Sequence, residues 1–106
     1  MDKVYGLIGL AKRAGRIAGG EFLSIGAIKD GSAELVILAC DASDNTKKKI
    51  KNSCKFYNVL CIEYGTKDEH GRYTGGSYRA VTTVKDKGFA EAILKIVRTL
   101  KEGNGE

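Results

Sequence analysis

Apolar residues along the chain follow two spacings, and each spacing predicts a different kind of element. In four segments they recur every three or four residues, which is the spacing of the buried face of a helix. These predicted helices span residues 2–15, 20–31, 44–58 and 87–100. Continuous or alternating apolar runs between them predict strands. The predicted strands span residues 33–40, 60–64 and 78–84, with residues 16–18 as a candidate edge strand.

The same spacings predict the core. The run AELVILAC at 33–40 is continuous and rich in branched residues, so we expect a strand buried on both faces at the centre of a sheet. The helix residues expected to point inward are Val4, Ile8, Ala11, Phe22, Ile25, Ile28, Ile50, Cys54, Tyr57, Phe89, Ile93, Val97 and Leu100. Residues 65–77 contain four glycines and no clear period, so they are predicted to form a loop with at most one helical turn.

Helices that alternate with strands indicate an α/β fold, a three-layer α-β-α sandwich with a sheet between helical layers and right-handed crossovers. The 106 residues and 42% hydrophobic content are enough for one small core and too few for two. We therefore expect a single domain over residues 1–101, followed by a frayed tail at 102–106.

The charge balance favours a polyanionic partner. Eighteen Lys and Arg residues against thirteen Asp and Glu give a formal net charge of +5 and a pI near 9.2. Many basic proteins carry such a charge for solubility alone, so the balance by itself does not establish nucleic-acid binding.

The cysteines, the histidine and the N-terminal segment exclude other classes. Cys40, Cys54 and Cys61 are odd in number, form no C-x-x-C pair and lie in apolar segments, which is typical of the reducing cytoplasm. His70 is the only histidine, so we expect no metal site and no cofactor. No apolar run approaches the length of a membrane span, and residues 1–15 lack the features of an export signal.

Phosphate-binding and serine-hydrolase motifs are incomplete. Gly15 and Gly20 mimic the glycine spacing of a phosphate-binding loop, but Glu21 and Phe22 stand where that loop needs Lys and Ser or Thr. No Gly-x-Ser-x-Gly elbow occurs, and no spacing pairs Ser43 or Ser53 with the histidine.

Asp41 and Asp44 could act as a pair of acids, although capping of the helix that follows explains them more simply. The sequence therefore predicts a binding protein, not an enzyme.

Two basic clusters could bind phosphates. One lies on the third predicted helix and comprises Lys47, Lys48, Lys49, Lys51 and Lys55. The other ends the first helix and comprises Lys12, Arg13 and Arg16, next to the Gly19-Gly20 turn. The simpler explanations are a solvated helix face for the first cluster and interaction with the helix dipole for the second.

Glu21 has two interpretations. As a first-turn carboxylate it stabilises the N-terminus of its own helix, and as an exposed acceptor it could pair with the N–H donors on a guanine edge. In the glycine-rich segment at 65–77, the side chains of His70, Arg72 and Tyr73 could stack on an unpaired base, although Tyr73 could equally pack on the core.

Several segments together resemble the L7Ae/L30e ribosomal protein family, whose members bind kink-turn RNA. The similar segments are GLAKRAGRIAGGE, AELVILACDAS, DNTKKKI and TKDEHGRYTGGSYRAV. The segments GLAKRAGRIAGGE and DASDNTKKKI are most similar to the bacterial YlxQ-like branch. The resemblance covers residues 4–101 and implies an α-β-α sandwich with a small mixed sheet and a non-catalytic RNA-binding function.

The family's motif is Gly-x-Asn-Glu-x-x-Lys at the start of the second helix, and it aligns here with residues 18–24. Only the glutamate, Glu21, is retained, because Gly20 replaces the asparagine and Ser24 replaces the lysine. The resemblance implies that Glu21 contacts a guanine of tandem sheared G·A pairs and that Gly20 supports it. Each missing base contact corresponds to about 1–3 kcal/mol of discrimination.

The resemblance also implies that the loop from His70 to Gly75 touches a flipped-out base and that Asp41, Ala42 and Ser43 line the RNA surface. The full predicted RNA-binding set is Lys12, Arg13, Arg16, Gly19, Gly20, Glu21, Ser24, Asp41, Ala42, Ser43, Lys47, Lys48, His70, Gly71, Arg72 and Tyr73. We expect a monomer that binds structured RNA, with ribosomal RNA as one candidate. The alternatives are a protein-interaction adaptor and, less favoured, a small enzyme that acts on nucleotides or RNA.

Overall fold

The computed structural model describes residues 2–103, which form five helices and four strands in one α-β-α sandwich. In chain order the elements are α1 (Lys3–Arg13), β1 (Ile17–Gly19), α2 (Glu21–Asp30), β2 (Leu35–Leu38), α3 (Asp44–Tyr57), β3 (Cys61–Glu63), α4 (Lys67–Thr74), β4 (Val81–Val84) and α5 (Lys87–Gly103). The predicted α/β fold class is therefore confirmed.

The sheet is mixed and has the strand order β1-β4-β2-β3. The β2 and β3 strands are parallel, while β4 runs antiparallel to both β1 and β2. The apolar run predicted to be central forms β2, which has a neighbour on each side and is fully buried. Because alternate residues of a strand point to opposite faces, Leu35 and Ile37 enter one core while Val36 and Leu38 enter the other.

Each face of the sheet is covered by a helical layer. The α1 and α5 helices cover one face through Val4, Ile8, Ile93 and Val97, and α4 packs beside α1. On the opposite face, α2 and α3 pack through Ile28, Ile50 and Cys54. Asp2 caps the first helix, because its side chain accepts hydrogen bonds from the first turn of α1.

The segment predicted to be a loop contains the two-turn helix α4. Thr66 and Glu69 form a reciprocal capping box at its start, and Gly75 ends it in the left-handed conformation. The side chains that this helix buries are His70 and Thr74, not aliphatic residues. The apolar period that normally indicates a helix is therefore missing, and the loop prediction is wrong.

Three side chains predicted to point inward are exposed instead: Phe22, Tyr57 and Leu100. The buried stripe of α2 runs through Ser24, Ala27 and Ile28, which leaves Phe22 on the outer side. Tyr57 is the last residue of α3, and Leu100 lies one turn beyond the buried Val97 of α5. The α5 helix continues through Gly103, and residues 104–106 of the predicted frayed tail lie outside the described residues.

Candidate nucleic-acid interface

The turn between β1 and α2 has a backbone conformation that favours glycine. Gly20, the N-cap residue of α2, has a φ of 91° and a ψ of 169°, a combination that residues with a Cβ essentially never adopt. Its N–H group donates to the carbonyl of Val81 on β4, which fixes the turn against the sheet. No side chain caps the first turn of α2, so the positive end of the helix dipole faces outward next to Glu21.

The Glu21 carboxylate lies at the surface and pairs with a lysine of α3. Its Oε2 atom is 3.0 Å from Lys49 Nζ, and the two side chains are 37% and 60% exposed. Exposed ion pairs of this kind contribute little to stability, usually less than about 1 kcal/mol. Glu21 therefore occupies a first-turn position that favours a negative charge. Its ion pair with Lys49 is weak enough for a ligand to replace the lysine.

Arg79 lies against the same turn, and the sequence analysis did not select it. Its Nη1 atom donates to the carbonyl of Gly19 at 2.9 Å. A Cβ atom added to Gly19, Gly20 or Gly76 would lie 3.1, 3.0 or 2.6 Å from the guanidinium group. Within residues 2–103, its buried Nε atom has no hydrogen-bond partner. The sequence indicated a turn at Gly19-Gly20 and a glycine-rich segment at 65–77, but no pattern showed that one arginine lies between them.

Lys12, at the end of α1, also borders this site. A Cβ atom on Gly75 would lie 3.1 Å from Lys12 Cε, so Lys12 contacts the α4–β4 loop next to Arg79. Arg13 instead lines a groove between α1 and α5. Arg16 is exposed beyond the end of α1, and its carbonyl accepts a hydrogen bond from Lys85. Of the predicted cluster, Lys12 is the residue that contacts the loop carrying Arg79.

The lysines of α3 have acidic partners outside their own helix. Lys47 and Lys51 lie 3.1 and 2.7 Å from the carboxylate of Glu63 on β3. Hydrogen bonds from Lys51 and then Lys47 lower the pKa of Glu63, and the same contact raises the pKa of Lys51. Among the described residues, Lys48 and Lys55 form no ion pair and remain exposed. The lysine face is therefore partly neutralised.

Asp41, Ala42 and Ser43 connect β2 to the neighbouring helices. Ser43 caps α3 by accepting from the N–H of Thr46 at 3.2 Å. Asp41 Oδ1 accepts from the N–H of Lys67 at the start of α4, at 2.8 Å. Asp41 and Ser43 are exposed, but Ala42 is buried and its side chain cannot reach a ligand. Both polar residues therefore have structural partners, but Asp41 bonds the start of α4 and does not cap α3, the helix that follows it.

His70 is buried, which contradicts its predicted stacking role. Its side chain is 1% exposed. The Nε2 atom lies 2.7 Å from the Tyr64 carbonyl and Nδ1 lies 2.8 Å from the Thr82 hydroxyl. The neutral ring satisfies both, because Nε2–H donates to the carbonyl while Nδ1 accepts from the hydroxyl. Burial is the main cause that lowers the pKa of His70, so it is a neutral core residue.

Three other residues of the predicted RNA-binding set pack or form hydrogen bonds within the protein. Tyr73 stacks on Tyr5 with ring centroids 4.7 Å apart and an interplanar angle of 12°, so it packs on the core. Gly71 is buried, and a Cβ atom at this position would lie only 2.4 Å from the carbonyl oxygen of Ser77. Ser24 is buried and its hydroxyl donates to the Ala18 carbonyl at 3.2 Å. Tyr73 and Ser24 therefore have structural partners inside the protein, and close packing at position 71 requires glycine.

Arg72 remains exposed and pairs with Asp68 at 3.0 Å. Within residues 2–103, no three His, Cys, Asp or Glu side chains are close enough together to hold a metal ion. None of the helices in this part of the chain is both long and apolar enough to cross a lipid bilayer.

Two bacterial proteins are similar to this chain over most of its length. RNA-binding protein YlxQ of Enterococcus faecium is 40% identical over 96 residues, which cover 91% of this chain and 92% of that protein. RNA-binding protein YlxQ of Bacillus subtilis is 38% identical over 93 residues, which cover 88% and 93% of the two chains.

Solved structures share the fold. A Bacillus halodurans protein of unknown function superposes with a TM-score of 0.86 at 35% identity and covers 92% of this chain and 99% of its own. The Giardia lamblia 15.5kD RNA binding protein superposes with a TM-score of 0.74 at 21% identity, covering 96% and 91%. The family model of the ribosomal protein L7Ae/L30e/S12e/Gadd45 family matches residues 2–94. The chain therefore belongs to the ribosomal protein L7Ae/L30e/S12e/Gadd45 family.

Proposed function

We propose that this protein is a non-catalytic RNA-binding protein that recognises a kinked or internal-loop RNA through the first turn of α2. Glu21 contacts a base edge in this proposal, Arg79 and Lys49 flank it, and Gly19 and Gly20 shape the turn and leave room for Arg79. One observation carries the proposal: the partly exposed carboxylate of Glu21 lies at the start of α2, where no side chain caps the helix and where Gly20 has a conformation that favours glycine. The names of the two YlxQ relatives support RNA as the ligand.

Basic side chains around this turn supply the phosphate contacts. Lys12 borders the α4–β4 loop, and Lys48 is exposed on α3 without an acidic partner among the described residues. Contacts to phosphates position an RNA without reading its sequence, whereas contacts to base edges discriminate between RNAs. Glu21 is the best-placed residue for discrimination, because a carboxylate accepts from the paired N–H donors of guanine and repels phosphates.

The test is a titration with two RNAs. One is a kink-turn RNA with tandem sheared G·A pairs, and the other has those pairs converted to Watson–Crick pairs. We expect the wild-type protein to prefer the kinked RNA at both low and physiological salt. The Glu21→Gln variant should lose this preference more than it loses overall affinity, and Glu91→Gln, an exposed acid on α5, serves as the matched control.

Equal wild-type binding to both RNAs, with affinity that disappears as salt rises, would contradict structural recognition. Contacts to phosphates alone predict that behaviour, with a log-log salt slope of about 0.9 per contact. Unchanged selectivity in Glu21→Gln would remove the proposed contact between Glu21 and a base.

A further inference from the structure

Phe22 is an exposed aromatic side chain directly beside Glu21. It is 88% exposed in the first turn of α2, while the core side of this helix consists of Ser24, Ala27 and Ile28. Its ring therefore contributes little to the hydrophobic core. Leu23, the next residue, is also exposed, so the first turn of α2 presents an apolar surface next to a carboxylate.

Positive charge borders this surface. A groove of about 640 Å³ runs along α2, and its charged lining consists of three lysines, Lys29, Lys49 and Lys85, and two acids, Glu21 and Asp30, beside Phe22. Phe22 and Lys29 are seven residues apart on one helix, so they lie on the same face about 10.5 Å from each other. Lys49 lies close to the same turn because its ammonium group is 3.0 Å from the neighbouring Glu21 carboxylate.

An aromatic ring flanked by ammonium groups matches the chemistry of an unpaired nucleotide. Every base has a π-face that can stack on an aromatic side chain, and its phosphate is attracted to nearby lysines. The lysines also disfavour a basic protein segment as the occupant. The surface is continuous with Glu21, so an RNA bound there would bring its neighbouring nucleotides to Phe22.

We propose that Phe22, Lys29 and Lys49 form a binding site for an unpaired nucleotide, whose base stacks on Phe22 next to the base edge contacted by Glu21. This inference rests on the proposed function and adds a stacking contact to it. Stacking of one base is of the same order as one base-edge contact. The site therefore offsets part of the affinity that the family's asparagine and lysine would supply at Gly20 and Ser24.

The experiment combines protein variants with modified RNAs. Binding of Phe22→Ala and Phe22→Trp is measured against the kink-turn RNA and against versions in which each unpaired nucleotide in turn is abasic. Phe56→Ala is the matched control, because Phe56 is 82% exposed and lies two helical turns beyond Lys49 on α3. Circular dichroism checks that Phe22→Ala folds, which we expect because its ring is largely outside the core.

We expect Phe22→Ala to weaken binding between about 5-fold and 150-fold, while Phe22→Trp and Phe56→Ala bind within about twofold of wild type. One abasic position should weaken wild-type binding by a similar factor and have no further effect on Phe22→Ala. This loss of additivity identifies the stacked nucleotide.

Other results overturn the proposal in distinguishable ways. If Phe22→Ala binds like wild type while Glu21→Gln loses selectivity, the proposed function stands and Phe22 belongs to a surface for a protein partner. If the effect of Phe22→Ala is additive with every abasic position, the loss does not arise from stacking. If wild-type protein does not prefer the kinked RNA, the proposed function fails and this site fails with it.

Discussion

The Glu21 carboxylate and the Lys49 ammonium group join the first turn of α2 to α3 across 3.0 Å at the protein surface. Glu21 is the proposed contact to a base. When a base replaces Lys49 as the partner of Glu21, the Lys49 ammonium group can contact a phosphate of the same RNA. The pair therefore holds both groups beside the same turn before RNA binds.

Replacing Lys49 should affect RNA binding more than stability. We expect Lys49→Gln to reduce the log-log salt slope of binding by about 0.9, the loss of one phosphate contact. Its free energy of unfolding should change by less than about 1 kcal/mol, because the pair is exposed. Titrations at several salt concentrations and urea denaturation measure the two effects. Lys95→Gln on α5 is the control, and an unchanged slope for Lys49→Gln would show that Lys49 does not contact phosphate.

Two glycines of the same segment should respond in opposite directions to alanine. Gly20→Ala should lower the free energy of unfolding by about 1–3 kcal/mol, because a Cβ atom is strained at a φ of 91°. Gly26→Ala should raise it by about 0.5–1 kcal/mol, because Gly26 lies inside α2 with open space around a Cβ atom. Thermal and urea denaturation of both variants test this. Shifts of the same sign would contradict the assigned role of Gly20.

The Arg79→Lys variant tests whether RNA binding depends on the planar shape of the guanidinium group or only on its positive charge. Lysine keeps the positive charge but lacks the planar fork that lies between the two glycine pairs. We expect lower affinity for the kinked RNA with an unchanged salt slope, and a free energy of unfolding lower by about 0.5–1.5 kcal/mol from the lost hydrogen bond to Gly19. Arg98→Lys on α5 should leave all three quantities unchanged. Wild-type behaviour of Arg79→Lys would mean that only charge matters at this position.

The buried His70 predicts a specific loss of stability in mild acid. Burial lowers its pKa in the folded protein below the ordinary value of 6.5, so below pH 6.5 the unfolded chain binds a proton that the folded protein excludes. Stability is therefore fully present above pH 6.5 and falls as pH decreases toward the lower folded pKa. The loss at pH 5.5 should reach at most about 1.4 kcal/mol.

Urea denaturation between pH 7.5 and 5.5 measures this loss. His70→Gln is the comparison, because it removes the only histidine and should show a much flatter profile in this range. Equal slopes for the two proteins would show that another group causes the pH dependence. The acids whose pKa is lowered, Asp30, Glu63 and Glu69, titrate below this range.

The sheet and its main helices could be predicted because burial imposes regular patterns. The fully apolar run at 35–38 needs apolar contacts on both sides, and β2 has them. Patterns fail where the buried group is polar. The α4 helix buries His70 through a hydrogen bond to Thr82 on β4 and Thr74 through one to its own backbone, and only its capping box at Thr66 and Glu69 could have identified it.

Only those residues of the candidate site that belong to a glycine turn or to a family motif could be predicted from the sequence. Paired glycines and an acid indicated the turn around Gly20 and Glu21, and the family resemblance indicated a role for the acid. Arg79 joins this turn from a position about sixty residues away along the chain, and no local pattern carries such a contact. Phe22 was predicted inward because its spacing to Ile25 fits a helix, although Ser24 takes the buried position instead.

The backbone at Gly20 also restricts how this protein can change over time. With a φ of 91° and a ψ of 169°, the position disfavours the asparagine of the family motif, as it does any residue that carries a Cβ, by about 1–3 kcal/mol. A mutation that introduced it would require a simultaneous rearrangement of the turn that packs against Arg79. Lineages with this turn are therefore confined to changes at neighbouring positions when selection alters what they bind.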